Sequence, residues 1–309
     1  MAQVKIKLSE DFYNEETRDG YLIPSDMKKV WAVLFDLLNE FMHVCERHQI
    51  KWWADAGTIL GAARHKGMIP WDDDIDVMMM RDDYIRLCEI APKEFRHPYF
   101  FQTEETDKGS IRGHAQLRNS ETTGILKSER EMKYSFNQGI FLDIFPIDTI
   151  PDDDKLLKEQ IANINKYRMQ SLAYCNLSYR YRFNFRKNLF RMGVDYLKHI
   201  LAISIMKKHF SYEIAYNRFV EEGQKYNETN SSKVCKMVLC PIKPRRLWKK
   251  CWFDDTVYLP FEMFKLPVPI GYKELLNTFY GDWHTYKIGT ATHGGCFFDT
   301  EKSYKEYIR

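Results

Sequence analysis

Hydrophobic positions along the chain follow two different periods, one helical and one typical of strands. Apolar residues from Met27 to Cys45 recur at helical spacing, which predicts an amphipathic helix from Ser25, as its N-cap, to about His48. Apolar runs predict strands at residues 4–8, 50–54, 72–80, 99–102, 114–118, 139–148 and 234–239. Further helices are predicted at 82–90, ending before Pro92, and at 273–279. The mixture predicts an α+β protein with a mixed sheet.

An acidic run directly precedes one of these apolar runs, and this is the first sign of chemistry. On a strand, Asp72, Asp74 and Asp76 would share one face and Asp73 would point to the other. Carboxylates placed in this way can hold a hard divalent cation. A solvated surface turn is the alternative, but the apolar residues that follow at once make it less favoured. A calcium loop is a poor match, because Val77 stands where that loop needs glycine.

A single acid, Asp143, lies inside the apolar run at 139–148. Burying an unpaired carboxylate is costly, so we predict that Asp143 has a cation as its partner. A solvent-facing position at a strand end is the alternative. Asp148, at the end of the same run, is predicted to cap the following turn.

Charge and cysteine content narrow the class of protein. The net charge is only +3, but residues 180–210 hold eight basic residues against one acid, Asp195. This basic segment could contact an anionic membrane surface or nucleic acid. It could also be a packed helix whose long side chains bury their apolar stems and hold their charged ends in water. Seven widely spaced cysteines indicate reduced, mostly buried thiols, and zinc held by Cys235, Cys240, Cys251 and His293 is a weak alternative. We expect neither a secretory leader nor a membrane span.

The block GTILGAARHKGMIPWDDDIDVMMMRDDY, residues 57–84, resembles the signature of the LicD family. That family includes bacterial phosphocholine transferases and, more distantly, the fukutin-related phosphotransferases, and it belongs to the nucleotidyltransferase-fold superfamily. The motifs Ala56-Gly57-Thr58, Asp74-Ile75-Asp76 and Asp143-Ile-Phe-Pro match its pattern, and so does Tyr280-Gly281-Asp282 near the end. Two departures are Gln116, where lysine is expected, and the lack of proline between 285 and 292, with His293 as the candidate histidine.

The resemblance implies a nucleotidyltransferase-like core at 1–150, a basic, aromatic-rich helical insertion at 151–233 and a C-terminal extension at 234–309 that packs back on the core. Asp74, Asp76 and Asp143 would be the catalytic acids and would hold Mg²⁺ or Mn²⁺. The residues that would bind the phosphates of the donor are Gly57, Thr58, Arg64, His65, Lys66 and Arg118.

The implied activity is transfer of phosphocholine, or a similar phospho-alcohol, from a CDP-activated donor to a hydroxyl of a surface glycan, with release of CMP. The acceptor would be a lipid-linked or envelope glycan, such as lipopolysaccharide, teichoic acid or capsule. Such acceptors favour an anionic membrane over nucleic acid as the partner of the basic segment, so we expect a cytoplasmic protein that touches the inner face of the membrane. A nucleotidyltransferase that releases pyrophosphate and a non-catalytic nucleotide-binding module are the alternatives.

Overall fold

A computed structural model describes residues 4–130, 134–180, 211–239, 247–288 and 295–308, and every structural statement concerns these ranges. The α+β prediction is confirmed. The helices are α1 (Ser25–Arg47), α2 (Ala56–Leu60), α3 (Arg81–Glu94), α4 (Asp154–Arg180), α5 (Tyr212–Gln224) and α6 (Tyr272–Tyr280). The strands are β1 (Glu16–Arg18), β2 (Tyr21–Ile23), β3 (Trp53–Ala54), β4 (Asp76–Met80), β5 (Tyr99–Gln102), β6 (Ala115–Asn119), β7 (Thr123–Leu126), β8 (Ile140–Ile150), β9 (Lys233–Cys235), β10 (Trp248–Lys249), β11 (Thr256–Phe261), β12 (Phe264–Pro269) and β13 (Cys296–Asp299).

Strand β8 is the centre of a mixed sheet that, in the described part of the chain, has seven strands. It runs parallel to β4 and antiparallel to β6 and β9, while β3, β5 and β10 extend the sheet outward. Every residue of β8 is buried. A strand buried on both faces has a continuous apolar sequence, and this explains why residues 140–147 lack the alternation of a half-exposed strand.

The long helix α1 covers one face of this sheet and contacts β8 and β6. Its apolar stripe is buried, as the helical spacing predicted. The N-cap is Pro24 and not Ser25, because the backbone is still extended at residue 24 and the helix already includes residue 25. Helix α3 also differs from its prediction, since it continues through Pro92 to Glu94. Proline has no N–H to donate to the preceding turn, and the helix ends two residues after it.

Four predicted strands are shorter than expected or missing, among them the one at 72–80, which begins only at Asp76, and two hairpins, β1–β2 and β11–β12, were not predicted. Residues 4–8 form no strand, whereas β1 and β2 pair as a hairpin soon after them. The strand predicted at 50–54 is reduced to β3, and the one at 234–239 ends at Cys235 and continues as a 3₁₀ turn. The basic segment from 181 to 210, and also Cys240 and His293, lie outside the described residues.

The predicted role of Asp148 is wrong. It lies inside β8, fully buried, and both of its oxygens accept hydrogen bonds from Arg81 at 2.8 and 2.7 Å. Asn227 donates a third hydrogen bond at 3.0 Å. Asp148 is therefore a scaffold residue whose charge is neutralised within the protein. Its partner Arg81 begins α3, so a helix and a strand are joined by a bidentate ion pair.

We expect Gly139→Ala to destabilise the protein strongly. A Cβ atom at residue 139 would lie 1.9 Å from the backbone oxygen of Asn119, so β6 and β8 would have to separate. Overpacking against backbone costs roughly 1–3 kcal/mol or more, which denaturant unfolding can measure.

The matched control is Gly223→Ala, in the last turn of α5. There the new Cβ atom would meet only ordinary contacts, the nearest at 3.8 Å. Alanine is favoured over glycine in a helix by roughly 0.5–1 kcal/mol, so this variant should be unchanged or more stable. Equal destabilisation by both variants would contradict the tight β6–β8 contact.

Candidate functional site

The sheet places two of the predicted catalytic acids side by side. Asp76 is the first residue of β4, and its Cα partner across the parallel pair is Asp143 in β8. The backbone N–H of Asp143 donates to the carbonyl of Ile75 at 3.1 Å, which fixes this register. Partner residues on neighbouring strands point to the same face of a sheet. The structure therefore brings Asp76 and Asp143 together.

The acidic run before β4 has a different conformation from the one predicted. Only Asp76 lies in the strand, whereas Asp72, Asp73 and Asp74 belong to an irregular segment that follows a turn closed by Ile69. The prediction that Asp73 points away is wrong. In the described part of the chain, the one group of possible metal ligands whose atoms all lie within 4.8 Å of one another consists of Asp72, Asp73 and Asp74. We call these three residues, with Asp76 and Asp143, the carboxylate site.

Negative charge is concentrated in the carboxylate site. Burial, and then the neighbouring charges of Asp74, Asp143 and Asp55, raise the pKa of Asp76 well above its usual value. Burial likewise raises the pKa of Asp72 to about 6. Oxygen ligands that repel one another in this way are the donors that a hard divalent cation prefers. The donor chemistry of the site therefore fits Mg²⁺ or Mn²⁺.

Asp143 has two hydrogen-bond donors of its own. Burial alone would raise its pKa, but His114 and Gln116 outweigh burial and lower it to about 2. His114 Nε2 lies 3.0 Å and Gln116 Nε2 lies 2.6 Å from the same carboxylate oxygen, Oδ1. The other oxygen, Oδ2, is free of these two donors. The arrangement resembles the outer shell of metal sites, where donors orient a ligating carboxylate.

The turn at Ala56-Gly57-Thr58, which we call the Gly57 turn, packs directly against the carboxylate site. The N–H of Asp76 donates to Thr58 Oγ1 at 2.9 Å, and the N–H of Asp55 donates to the carbonyl of Asp76 at 2.9 Å. Ala56 has a φ of 41°, in the left-handed region, so the turn is tight. A Cβ atom on Gly57 would lie 2.5 Å from Asp72 Oδ2. Glycine is therefore needed here so that the Asp72 carboxylate can approach the backbone.

The predicted basic residues Arg64, His65 and Lys66 follow the Gly57 turn. Arg64 and His65 end a π-helical segment at Gly61–His65, and Lys66 is its C-cap. Arg64 Nη1 donates to the carbonyls of Trp283 and Thr285 at 2.9 and 3.2 Å, and the guanidinium lies over the ring of Tyr286. His65 Nδ1 lies 2.7 Å from Asp19 Oδ2. Lys66 is exposed. Arg64 thus joins the Gly57 turn to the segment that follows the Tyr280-Gly281-Asp282 motif.

Arg118 lies deeper than a phosphate-binding residue would. It is buried and donates to Gln102 and to the carbonyl of Gly139, each at 2.7 Å, and it also contacts Gln116. Gln116 in turn bonds Asp143, so a chain of hydrogen bonds leads from Arg118 to the carboxylate site. A contact between Arg118 and phosphate stays a prediction.

Two charged residues that the sequence did not single out complete the site. Asp55, fully buried, caps α2 by accepting from the N–H of Ala56 at 2.8 Å, and Lys236 Nζ donates to its other oxygen. The Lys236 ammonium also lies 4.5 Å from the ring centre of Phe145. The charge of Lys236 opposes the raised pKa of Asp76, so this cation acts on the carboxylate site as well. The only sequence signal was a lysine after a short apolar strand.

Tyr280 faces the site from the end of α6. Burial, followed by the charges of Asp55, Asp72, Asp76 and Asp74, raises the pKa of its hydroxyl. The closing motif noted in the sequence is therefore within electrostatic reach of the carboxylate site.

We expect Lys236→Met to destabilise the protein and Asp55→Asn/Lys236→Met to restore most of the loss. The single substitution would leave Asp55 charged and buried without its cation, a change that costs roughly 3–5 kcal/mol. An asparagine in place of Asp55 is neutral and still caps the helix. Denaturant unfolding measures both variants, and Lys233→Met, which removes a lysine from the start of β9, three residues before Lys236, is the control. A double variant no more stable than Lys236→Met alone would contradict the pairing.

Comparisons with known proteins relate this chain to one family. Residues 49–191 match the family model described as LicD/FKTN/FKRP, nucleotidyltransferase domain. The lipopolysaccharide cholinephosphotransferase LicD of Haemophilus influenzae is 27% identical over 262 residues, which cover 83% of this chain and 91% of that protein. The human and mouse ribitol 5-phosphate transferases FKRP are each 42% identical over 46 residues, 15% of this chain and 9% of their own length.

Proposed function

Because residues 49–191 of this chain are a LicD-family domain, we propose that the protein transfers phosphocholine, or a similar phospho-alcohol, from a CDP-activated donor to a hydroxyl of a cell-surface glycan. The acceptor oxygen forms a bond to the phosphorus next to the alcohol. The bond from that phosphorus to CMP breaks, CMP leaves with the electron pair, and the acceptor hydroxyl loses its proton.

The chain is an enzyme of the LicD type, a transferase of phosphate-containing groups. The names of the relatives support the finer proposal: one acts on lipopolysaccharide with phosphocholine, and the others transfer ribitol 5-phosphate. They have in common a phospho-alcohol as the group that is moved.

The observation that carries the proposal is the register of Asp76 against Asp143, beside the Gly57 turn. We propose that Asp74, Asp76 and Asp143, the last through Oδ2, hold Mg²⁺ or Mn²⁺, with Asp72 next to them. A divalent cation bound there would polarise the phosphoryl group and lower the pKa of an attacking hydroxyl. His114 and Gln116 keep Asp143 oriented, and Lys236 keeps the mutual repulsion of the acids in check.

The residues around the Gly57 turn would receive the phosphates of the donor. Thr58 Oγ1 accepts from Asp76 and still has a proton to donate. Lys66 is exposed and can reach an anion, whereas Arg64 is tied to carbonyls near Trp283. We propose that Lys66 contacts phosphate directly. Arg64 and His65 would instead fix the position of the protein segments that border the donor.

The rival activity is nucleotidyl transfer, in which the α-phosphorus of a nucleoside triphosphate is attacked and pyrophosphate leaves. The same acids could serve both reactions, and the names of the relatives favour the phospho-alcohol. A non-catalytic nucleotide-binding module is less favoured, because Asp74, Asp76 and Asp143 are all in place.

No helix in the described ranges is long and apolar enough to cross a membrane. We propose that the protein works on the cytoplasmic side, and that the basic segment contacts the anionic inner face. Pelleting with anionic liposomes that weakens as salt rises would support this contact.

We expect Asp76→Asn to reduce turnover by roughly 10²-fold or more, because an anionic oxygen beside Asp143 is lost. The stability of this variant should stay the same or rise, because the buried repulsion that raises the pKa of Asp76 is relieved. Steady-state kinetics and thermal unfolding measure the two effects, and Mn²⁺ binding followed by electron paramagnetic resonance should weaken in parallel.

Asp82→Asn is the matched control, since Asp82 is an exposed acid at the start of α3. It should leave turnover, stability and Mn²⁺ binding unchanged. Near-normal turnover of Asp76→Asn would sink the assignment of the site. The double variant Asp55→Asn/Lys236→Met gives a second test. If its stability recovers while its turnover stays at least about tenfold below that of the wild type, Lys236 does more than pair with Asp55.

We expect the purified protein to release CMP from CDP-choline, CDP-ribitol or CDP-glycerol when a glycan acceptor and Mg²⁺ or Mn²⁺ are present. Mass spectrometry of the glycan should show the added phospho-alcohol, and chelation should stop the reaction. Pyrophosphate release from a nucleoside triphosphate, with all three CDP-alcohols untouched, would overturn the donor class while leaving the carboxylate site in place.

A further inference from the structure

One row of residues crosses the sheet and ends at the carboxylate site. Gln102 in β5 is the Cα partner of Gln116 in β6, and Gln116 is the partner of Asp143 in β8. Asp143 is in turn the partner of Asp76 in β4. Arg118 lies two positions after Gln116 on β6, so its side chain points to the same face of the sheet. Two amides and a cation are therefore placed next to the carboxylates of the site.

Three hydrogen bonds of Arg118 all end on uncharged oxygens. Nε and Nη1 donate to Gln102 Oε1 and to the carbonyl of Gly139, each at 2.7 Å, and Nη2 donates to Gln116 Oε1. The side chain is buried, and burial, followed by the charge of Arg112, lowers the pKa of Arg118 to about 9. At neutral pH the guanidinium is still protonated, and it can then only donate hydrogen bonds.

A neighbour that can only donate determines which way the amide of Gln116 points. With Oε1 on Arg118, the amide Nε2 lies 2.6 Å from Asp143 Oδ1 and donates to it. Turning the amide over would set its N–H groups against the guanidinium and its Oε1 against the Asp143 carboxylate. Both contacts would be repulsive, because neither pairs a donor with an acceptor. Arg118 therefore holds Gln116 in the orientation that serves Asp143.

Gln102 forms a second arm of the same kind, which leads away from the carboxylate site. Its Oε1 accepts from Arg118, and its Nε2 donates to Asp107 Oδ2 at 2.7 Å and to the carbonyl of Asn137 at 2.9 Å. Each glutamine thus links Arg118 to one aspartate. The two arms are alike in residue type, burial and bonding, so Gln102 is a matched control for the arm that reaches Asp143.

We propose that Arg118 is a positioning residue that acts through Gln116. By fixing the Gln116 amide, it keeps a donor on Asp143 Oδ1 and leaves Oδ2 to a divalent cation. The inference rests on the metal site of the proposed function, and it gives Arg118 a role that needs no contact with phosphate. Substituting a residue that orients a metal ligand typically weakens metal binding about 10–100-fold, so the effect is large enough to measure.

The first test compares Gln116→Met with Gln102→Met. Methionine has a similar length, but it cannot donate to a carboxylate and is only a weak acceptor, so each variant loses one arm and should lose similar stability. Mn²⁺ binding followed by electron paramagnetic resonance should weaken about 10–100-fold in Gln116→Met and stay near the wild-type value in Gln102→Met. Binding that is as weak in Gln102→Met as in Gln116→Met, or that is unchanged in Gln116→Met, would overturn the proposal.

A second test asks whether Arg118 acts through Gln116. Arg118→Lys keeps the charge, but a single ammonium nitrogen cannot span the three acceptors that the guanidinium fork reaches. The Gln116 amide is then held less firmly, and Mn²⁺ binding should weaken several-fold. In the double variant Arg118→Lys/Gln116→Met the loss should be no greater than in Gln116→Met alone. Losses that add, or no loss in Arg118→Lys, would contradict a role through Gln116.

Nuclear magnetic resonance of the glutamine side-chain amides separates this inference from the proposed function, because it needs no metal. In the wild type, an amide proton of Gln116 should be shifted downfield by its bond to Asp143 and should exchange slowly with water, whereas the exchange should be faster in Arg118→Lys. Rapid exchange in the wild type would sink the proposal whether or not the variants fold, and so would an unchanged rate in Arg118→Lys. If the wild type binds no Mn²⁺, the metal site of the proposed function fails, while the amide signals still decide whether Arg118 fixes Gln116.

Discussion

Mutual repulsion of buried carboxylates is the constraint that the rest of this structure has to satisfy. At a separation of 4 Å and an effective dielectric constant of 20, two unit charges repel by about 4 kcal/mol. The protein holds several acids near one point. Burial raises the pKa of Asp72 and of Asp76, and the charges of neighbouring acids raise it further. Free energy gained by the hydrophobic core elsewhere helps to offset this cost.

The same strand shows two ways of burying a carboxylate. Asp148 in β8 is fully neutralised by the fork of Arg81 and contributes to the scaffold. Asp143, five positions earlier, receives from the described residues an imidazole and an amide on one oxygen. The contrast explains why the two acids differ in role. Both oxygens of Asp148 have hydrogen-bond donors, so it cannot bind a ligand, whereas Asp143 still has an oxygen that can.

The sequence predicted the parts of the site that depend on local order and missed those that depend on pairing between distant segments. The Gly57 turn and the apolar setting of Asp143 were visible because neighbouring residues define them. Asp72 to Asp74 were assigned to a strand because alternation was assumed to extend upstream of β4, whereas a turn at Ile69 redirects the chain.

Long-range contacts account for the remaining differences. Lys236 lies 181 positions from Asp55, and no local pattern links the two. Gln116 was noted as a departure from the expected lysine, but its bond to Asp143 follows from the register of β6 on β8, which the sequence does not specify. Asp148 was misjudged for the same reason, since its partner begins a helix far upstream.

The ion pair between Lys236 and Asp55 also bears on how the chain is made. During vectorial synthesis Asp55 leaves the ribosome long before Lys236 exists, and the fully buried β8 emerges before β9 can pair with its end. Non-local pairing of this kind is slow and leaves apolar strands exposed while it is incomplete. A nascent chain that stops at residue 191, where the family match ends, would hold an uncompensated carboxylate under the Gly57 turn and a sheet with an open edge. The charge of Asp55 beneath the carboxylate site is thus compensated only when the last third of the polypeptide is being added.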